Sequence, residues 1–309
     1  NFADRLIEAV KAKGNPICVG LDPRLKQIQA SIKKRSLRGE KTPTAAAADA
    51  IIEFNRGIID AVKDIVPVVK PQVAFYEIFG SEGIRAYEDT LAYAKQNGLI
   101  TIADVKRNDI GSTAEAYAQG YLGEVEIFEG EDEVVMPIFD ADSVTLNAYL
   151  GWDGIKPFFD ECERYGKGVF ILAKTSNKSS SDLQDLQLAG GMTVYETIGH
   201  LIESWGADSV GKSGYSFVGA VVGATFPEEA RLLRKVMPQS IFLVPGYGAQ
   251  GGSAKDVAPC FNKDGLGAIV NNSRGIIYAY EKLDFLPDAY GEAARAAVLE
   301  MKNDLDAVL

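Results

Sequence analysis

Histidine is nearly absent from this chain: His200 is the only one. That scarcity excludes a metal site built from several imidazoles and leaves little for a Ser-His-Asp mechanism. His200 itself falls in Val194-Tyr195-Glu196-Thr197-Ile198-Gly199-His200-Leu201-Ile202, a helical pattern in which a structural role is expected. Cysteine is sparse as well. Cys18, Cys162 and Cys260 form neither a CxxC nor a zinc spacing, so buried free thiols in a reducing compartment are expected. No apolar run reaches the roughly 18 residues of a membrane span. The opening Asn1-Phe2-Ala3-Asp4-Arg5-Leu6 reads as the start of an amphipathic helix rather than a leader, so a soluble, cytoplasmic protein is expected. Positive charge is in deficit, with 32 Lys+Arg against 43 Asp+Glu and a net charge of −11. Such a balance disfavours nonspecific nucleic-acid binding, although a locally positive cleft can still take an anionic small molecule.

What is present is ordinary globular material: 309 residues, 47% hydrophobic and 24% charged, which excludes disorder, collagen and a coiled coil as overall descriptions. Strand-like runs at Ile17–Asp22, Val68–Phe75, Leu99–Lys106, Ser143–Ala148, Gly168–Lys174, Ser216–Ala224, Ile241–Pro245 and Gly267–Asn272 alternate with helical patterns. Those helices include Ala46–Asp64, Glu82–Gln96, Thr193–Trp205, Glu228–Val236 and a last one from about Asp288. Eight βα units predict a single (β/α)8 barrel spanning residues 1–309, with a doubly wound open sheet as the alternative. Two insertions are expected. One is a solvated loop over 27–43 carrying Lys33-Lys34-Arg35, and the other an acidic surface segment over 124–133.

In a barrel the chemistry sits where strands end. The third strand ends Asp104-Val105-Lys106-Arg107-Asn108-Asp109-Ile110-Gly111-Ser112-Thr113. Asp104 and Lys106 are two apart on a strand and share a face. Asp109 and Thr113 are four apart and would share a helical face, unless Asp109 merely caps that helix. Asp22 ends the first strand, and Lys70 lies within the second. A lysine flanked by carboxylates keeps its ammonium form, which makes it a poor Schiff-base nucleophile and a good proton donor to a carbanion. The alternating charges of Lys70, Asp104, Lys106 and Asp109 would favour a charge distribution that develops during reaction. At the far end, Pro245-Gly246-Tyr247-Gly248-Ala249-Gln250-Gly251 follows the seventh strand and Ser273-Arg274 the eighth, a phosphate site in many barrels. The same glycines match the dinucleotide fingerprint only weakly, since the next strand ends in Asn271-Asn272 rather than an acidic residue.

Asp104-x-Lys106-x-x-Asp109-Ile110-x-x-Thr113, with Asp22, Lys70, Pro245-Gly246-x-Gly248-x-Gln250 and Arg274, resembles the orotidine 5'-phosphate decarboxylase family, and specifically its longer type 2 bacterial subfamily. The resemblance runs in order from Cys18–Pro23 to Arg274–Ile277. It implies decarboxylation of orotidine 5'-phosphate to uridine 5'-phosphate, the last step of de novo pyrimidine synthesis, without cofactor or metal. It also implies roles. Lys106 would protonate the ring carbanion, Asp104 would sit by the departing carboxylate, and Asp22 and Lys70 would hold ribose hydroxyls. Ser176 would bond the pyrimidine amide, with Thr175 and Asn177 as neighbouring alternatives. Gln250, Arg274 and the Ser273 backbone would bind phosphate, although Asn272-Ser273-Arg274 replaces the Gly-Arg pair of the shorter subfamily. Asp109 and Thr113 would reach into a partner subunit, which implies a homodimer, with no nucleic acid or membrane as partner. Competing readings are a magnesium-dependent barrel decarboxylase of a keto-sugar phosphate, a Schiff-base aldolase using Lys70, Lys106 or Lys174, and a noncatalytic phosphate-ligand barrel.

Overall fold

Valine- and isoleucine-rich runs without polar alternation make strands buried on both faces, as a parallel sheet covered by helices requires. In the computed structural model, which describes residues 1–128, 130, 134–248 and 251–309, eight such runs pair in parallel and close into a barrel. The chain begins with helix α1 (Phe2–Lys13), strand β1 (Ile17–Leu21), α2 (Ala30–Ser36), α3 (Pro43–Val62), β2 (Val68–Pro71), α4 (Ala74–Glu77), α5 (Gly80–Gln96), β3 (Ile100–Arg107) and α6 (Gly111–Leu122). It continues with β4 (Val125–Phe128), β5 (Val134–Met136), β6 (Ser143–Leu146), α7 (Trp152–Tyr165), β7 (Gly168–Lys174), α8 (Val194–Gly206), β8 (Ser216–Val222) and α9 (Pro227–Val236). The last elements are β9 (Ser240–Val244), α10 (Ala254–Val257), β10 (Ala268–Asn272), α11 (Arg274–Ile277) and α12 (Tyr290–Asp306). Around the barrel the order is β1-β10-β9-β8-β7-β6-β3-β2. Among the described residues, no helix is long and apolar enough to cross a membrane.

The N-terminal end of this cylinder is plugged. The Asn1 side chain caps α1 by accepting from the Ala3 N–H. Phe2 lies edge-on to Phe170, at 6.0 Å between ring centroids. Gly168 permits that contact, since a Cβ there would come within 2.1 Å of the Phe2 ring. Beside it, Arg5 pairs with Asp142 at 2.7 Å, and Asp142 in turn accepts from the Thr101 backbone at 2.9 Å. A closed floor leaves the C-terminal ends of the strands as the open end.

All eight barrel strands fall on runs read from the sequence, and three details differ. The second strand stops at Pro71, because no proline N–H is available to extend the ladder, and one turn of helix, α4, follows. The solvated loop expected over 27–43 contains α2 instead. Ile28 and Ile32, four residues apart, turn inward and are buried, while Lys34 and Arg35 stay outside. Arg35 pairs there with Glu53 of α3 at 2.5 Å, so the basic run is a solvated helical face. The described part of the acidic segment, 124–128 and 130, lies at the surface, but Val125–Phe128 pairs antiparallel with Val134–Met136 in a ribbon outside the barrel. Residues 129 and 131–133 lie outside the described residues. Cys18, Cys162 and Cys260 are free and buried, and His200 is an exposed residue of α8.

Candidate active site

The centre of the open end is one carboxylate. Asp104, on β3, is almost fully buried and accepts from Lys70 Nζ of β2 at 2.6 Å and from Lys106 Nζ at 2.6 Å, one ammonium on each oxygen. Thr145 of β6 adds a hydroxyl at 2.9 Å. Burial alone would raise the Asp104 pKa, but Lys70 and Lys106 outweigh it and hold the group well below the usual carboxylate range. Burial alone would lower Lys70; the carboxylates of Asp104 and Asp22 hold it above the usual lysine range. The Lys70–Asp104 contact is therefore between full charges near neutral pH. Burying such a group is costly for stability unless every member is paired, and here each is.

These side chains line a cavity of ≈ 480 Å³ together with Asp22, Gln72, Phe75, Thr145, Leu172, Thr175, Ser176, Asn177, Val221, Leu243, Pro245 and Asn271. That size suits a small, drug-sized organic molecule. Asp22 Oδ1 is buried with no partner among the described residues, and so is Ser273 Oγ beside it. Gly20 is what lets β1 pass so close, because a Cβ there would lie 2.6 Å from that of Ser273. On the opposite wall, Thr175 is committed: its hydroxyl bonds Gln184 and Asn177, each at 2.7 Å. The Ser176 side chain has no such bond among the described residues, and its backbone packs so tightly on Gly223 that a Cβ there would lie 2.8 Å from it.

Lys174 stands apart from the charged array. It is fully buried, paired with Asp185 and facing the rings of Phe226 at 4.5 Å and Tyr195 at 5.2 Å. It does not line the cavity, which removes it from the Schiff-base reading.

Other expected residues are placed differently. Gly246 and Gly248 adopt φ of +103° and +69°, left-handed values that favour glycine. The Gly248 N–H is turned inward, donating to Gly252 O at 2.8 Å rather than to the cavity. Arg274 is exposed at the start of α11, just past β10. Gln250 lies outside the described residues. Asp109 precedes α6 rather than sitting in it, and its carboxylate accepts from the Ile110 N–H at 2.8 Å, so the shared helical face with Thr113 does not form. Asp109, Ile110 and Thr113 do not line this chain's cavity, and Ile110 and Thr113 are exposed.

The profile of the "Orotidine 5'-phosphate decarboxylase / HUMPS family" matches residues 15–284. The chain belongs to this family. An orotidine 5'-phosphate decarboxylase of Caldicellulosiruptor bescii is 41% identical over 309 residues, covering 100% of this chain and 99% of the relative. Another, from Rhodopirellula baltica, is 43% identical over 308 residues, 98% of each. The solved structure titled Leishmania donovani OMP decarboxylase superposes with a TM-score of 0.73 at 30% identity, covering 99% of this chain and 98% of that one.

Several cavity residues of this family member, Val221 and Leu243 among them, lie short of the strand ends and escape a reading of those ends. Thr145 and Leu172 lie before the ends of their strands, and Asn271 sits one residue inside β10, where its Oδ1 faces the Cys18 thiol at 3.6 Å. Burial pushes that thiol up to about 12, so it stays protonated as a donor. Asp104 is depressed in the folded state, so it adds stability above the ordinary carboxylate value and loses it as pH falls through the folded one. Lys70 is raised, so its contribution persists below the ordinary lysine value and fades only as pH rises through its higher folded value. The Lys70–Asp104 pair therefore gives its full contribution to stability from about pH 5 to about pH 10. Asp22 goes the other way, since burial raises it above the usual carboxylate value although Lys70 opposes this. The acid limb of kcat/KM is expected to reflect Asp22. In Asp22→Asn that limb should disappear and leave only the substrate's own phosphate ionisation. Superimposable profiles, measured between pH 4 and 8, would assign the limb elsewhere.

Proposed function

We propose that the chain converts orotidine 5'-phosphate to uridine 5'-phosphate and CO2 with its own side chains alone. The observation that carries this reading is the Lys70–Asp104–Lys106 array, aimed into a nucleotide-sized cavity at the open end of the barrel. Breaking the ring C–COO⁻ bond leaves its electron pair on the pyrimidine carbon and releases CO2. Lys106 Nζ–H protonates that carbon and recovers a proton from water. Asp104, anionic and confined, lies where the substrate carboxylate would be crowded before departure and where the lysine ammonium must be held after it. Asp22, with its unpartnered oxygen, takes a ribose hydroxyl and Lys70 a second. Ser176 is favoured over Thr175 for the pyrimidine amide because only its hydroxyl is uncommitted. Pro245, Gly246, Gly248, Gln250, the Ser273 backbone and Arg274 form the phosphate grip, whose binding energy then acts on turnover as well as affinity.

A homodimer with shared sites belongs to the same proposal. Asp109, Ile110 and Thr113 lie away from this chain's cavity, and an exposed Ile110 beside a half-buried carboxylate suits a surface that another copy completes. The direct test follows absorbance after adding orotidine 5'-phosphate, with and without a chelator. Loss of the substrate chromophore at equal rates in both supports the reading. No loss overturns it, and loss only without chelator points to a metal-dependent decarboxylase.

A further inference from the structure

Strand β3 is irregular where it matters most. It pairs with β6 through Ile102↔Ser143 and Ala103↔Val144, and next through Arg107↔Leu146. Four residues advance on β3 while two advance on β6, so Asp104, Val105 and Lys106 bulge out of the ladder. Bulges re-aim side chains, and they leave backbone groups without their ladder partners. Lys106 also sits at φ +48°, a left-handed value that is unfavourable for a residue with a Cβ. Such backbone persists only where its surroundings over-determine it.

The surroundings here are one hydroxyl. Thr145 is buried, and its Oγ1 accepts from the Val105 N–H and the Lys106 N–H, both at 3.0 Å, while lying 2.9 Å from Asp104 Oδ1. A hydroxyl has one proton and two acceptor sites. Both acceptor sites are taken by N–H groups, so the proton must point to Asp104. The Thr145 side chain thus ties together the carboxylate that holds Lys106 and the turned backbone that presents it.

We propose that Thr145 is a positioning residue for the decarboxylation, acting through Asp104 and Lys106 without touching the reacting atoms. The inference rests on the function proposed above. Thr145→Val keeps the shape and removes all three hydrogen bonds, whereas Thr145→Ser keeps the hydroxyl. In Thr145→Val, kcat is expected to fall by about 10- to 100-fold, the scale of a misplaced catalytic group. KM should change by less than about 3-fold, because the ribose, pyrimidine and phosphate contacts lie elsewhere. Thr145→Ser should return kcat to within about 3-fold of the unsubstituted enzyme. Thr145→Ala, set against Thr145→Ser, makes the same comparison should the valine variant prove insoluble. Unchanged kcat in the hydroxyl-free variants overturns the proposal. So does a serine variant as impaired as they are, since volume rather than the hydroxyl would then matter. Failure of the unsubstituted chain to turn over orotidine 5'-phosphate would instead strike the functional reading itself.

Discussion

Replacing Lys106 with alanine is expected to lower kcat for decarboxylation by on the order of 10⁴-fold or more, the combined scale of a lost general acid and a lost electrostatic partner. Affinity for the product nucleotide should hold to within about 10-fold, because the proposed ribose and phosphate contacts are untouched. The protein should still fold. The Lys106 side chain is 44% exposed, so its removal opens no core cavity, and alanine occupies the φ of +48° at much the same cost as lysine. Asp104 keeps Lys70 and Thr145 as partners and is not left as an unpaired buried charge. Steady-state kinetics, product titration and a thermal melt on one preparation separate these effects. A variant keeping more than about a tenth of wild-type kcat would remove Lys106 from the chemistry. Lost binding with unchanged kcat would make it an anchor only.

The second large effect concerns Asp109. Lys106→Ala and Asp109→Ala should each be nearly inactive alone, yet mixing equal amounts should restore about a quarter of wild-type activity. If a site takes Lys106 from one subunit and Asp109 from the other, a hybrid dimer carries both lesions in one site and none in its second. Random exchange makes about half the dimers hybrid, each with half its sites intact, which gives about one quarter. The geometry motivates the test, since within one chain the Asp109 carboxylate bonds the Ile110 N–H and, among the described residues, no lysine. Native mass spectrometry can verify exchange. Verified hybrids without recovered activity would place Lys106 and Asp109 in the same subunit's site, or Asp109 outside it.

How well the sequence foretold the site depends on which interactions set each position. Asp104 and Lys106 were legible because a charged pair at a buried strand end has few structural uses, and Lys70 because a charge directly after Val68-Val69 stands out in an apolar strand start. Their convergence on one carboxylate was inferable in kind. Its mechanism was not, since regular alternation along β3 would have aimed both side chains the same way without a bulge. Thr145 was invisible because a threonine inside a strand is ordinary; only the 3.0 Å contacts across to β3 reveal it. Asn271 and Leu172 were missed for the same reason. The helix within 27–43 was missed because its apolar signal is one inward isoleucine, Ile32, with Ile28 just before the helix, in a basic stretch.

Local chemistry written along the chain was enough to determine the eight barrel strands and their alternation with helices, and hence the barrel, because period and turn residues act over a few positions. The identity of the charged residues at β2 and β3 was likewise fixed locally. Contacts between segments distant in the chain decided the rest. Closure of β1 onto β10 brings Asn271 to the cavity and Ser273 beside Asp22, and the β3–β6 mismatch turns Lys106 back onto Asp104. The pairing of Thr175 with Gln184 leaves Ser176 free. These depend on register and close packing between strands, which no single stretch of sequence encodes, and it is they that turn a row of charges into a site.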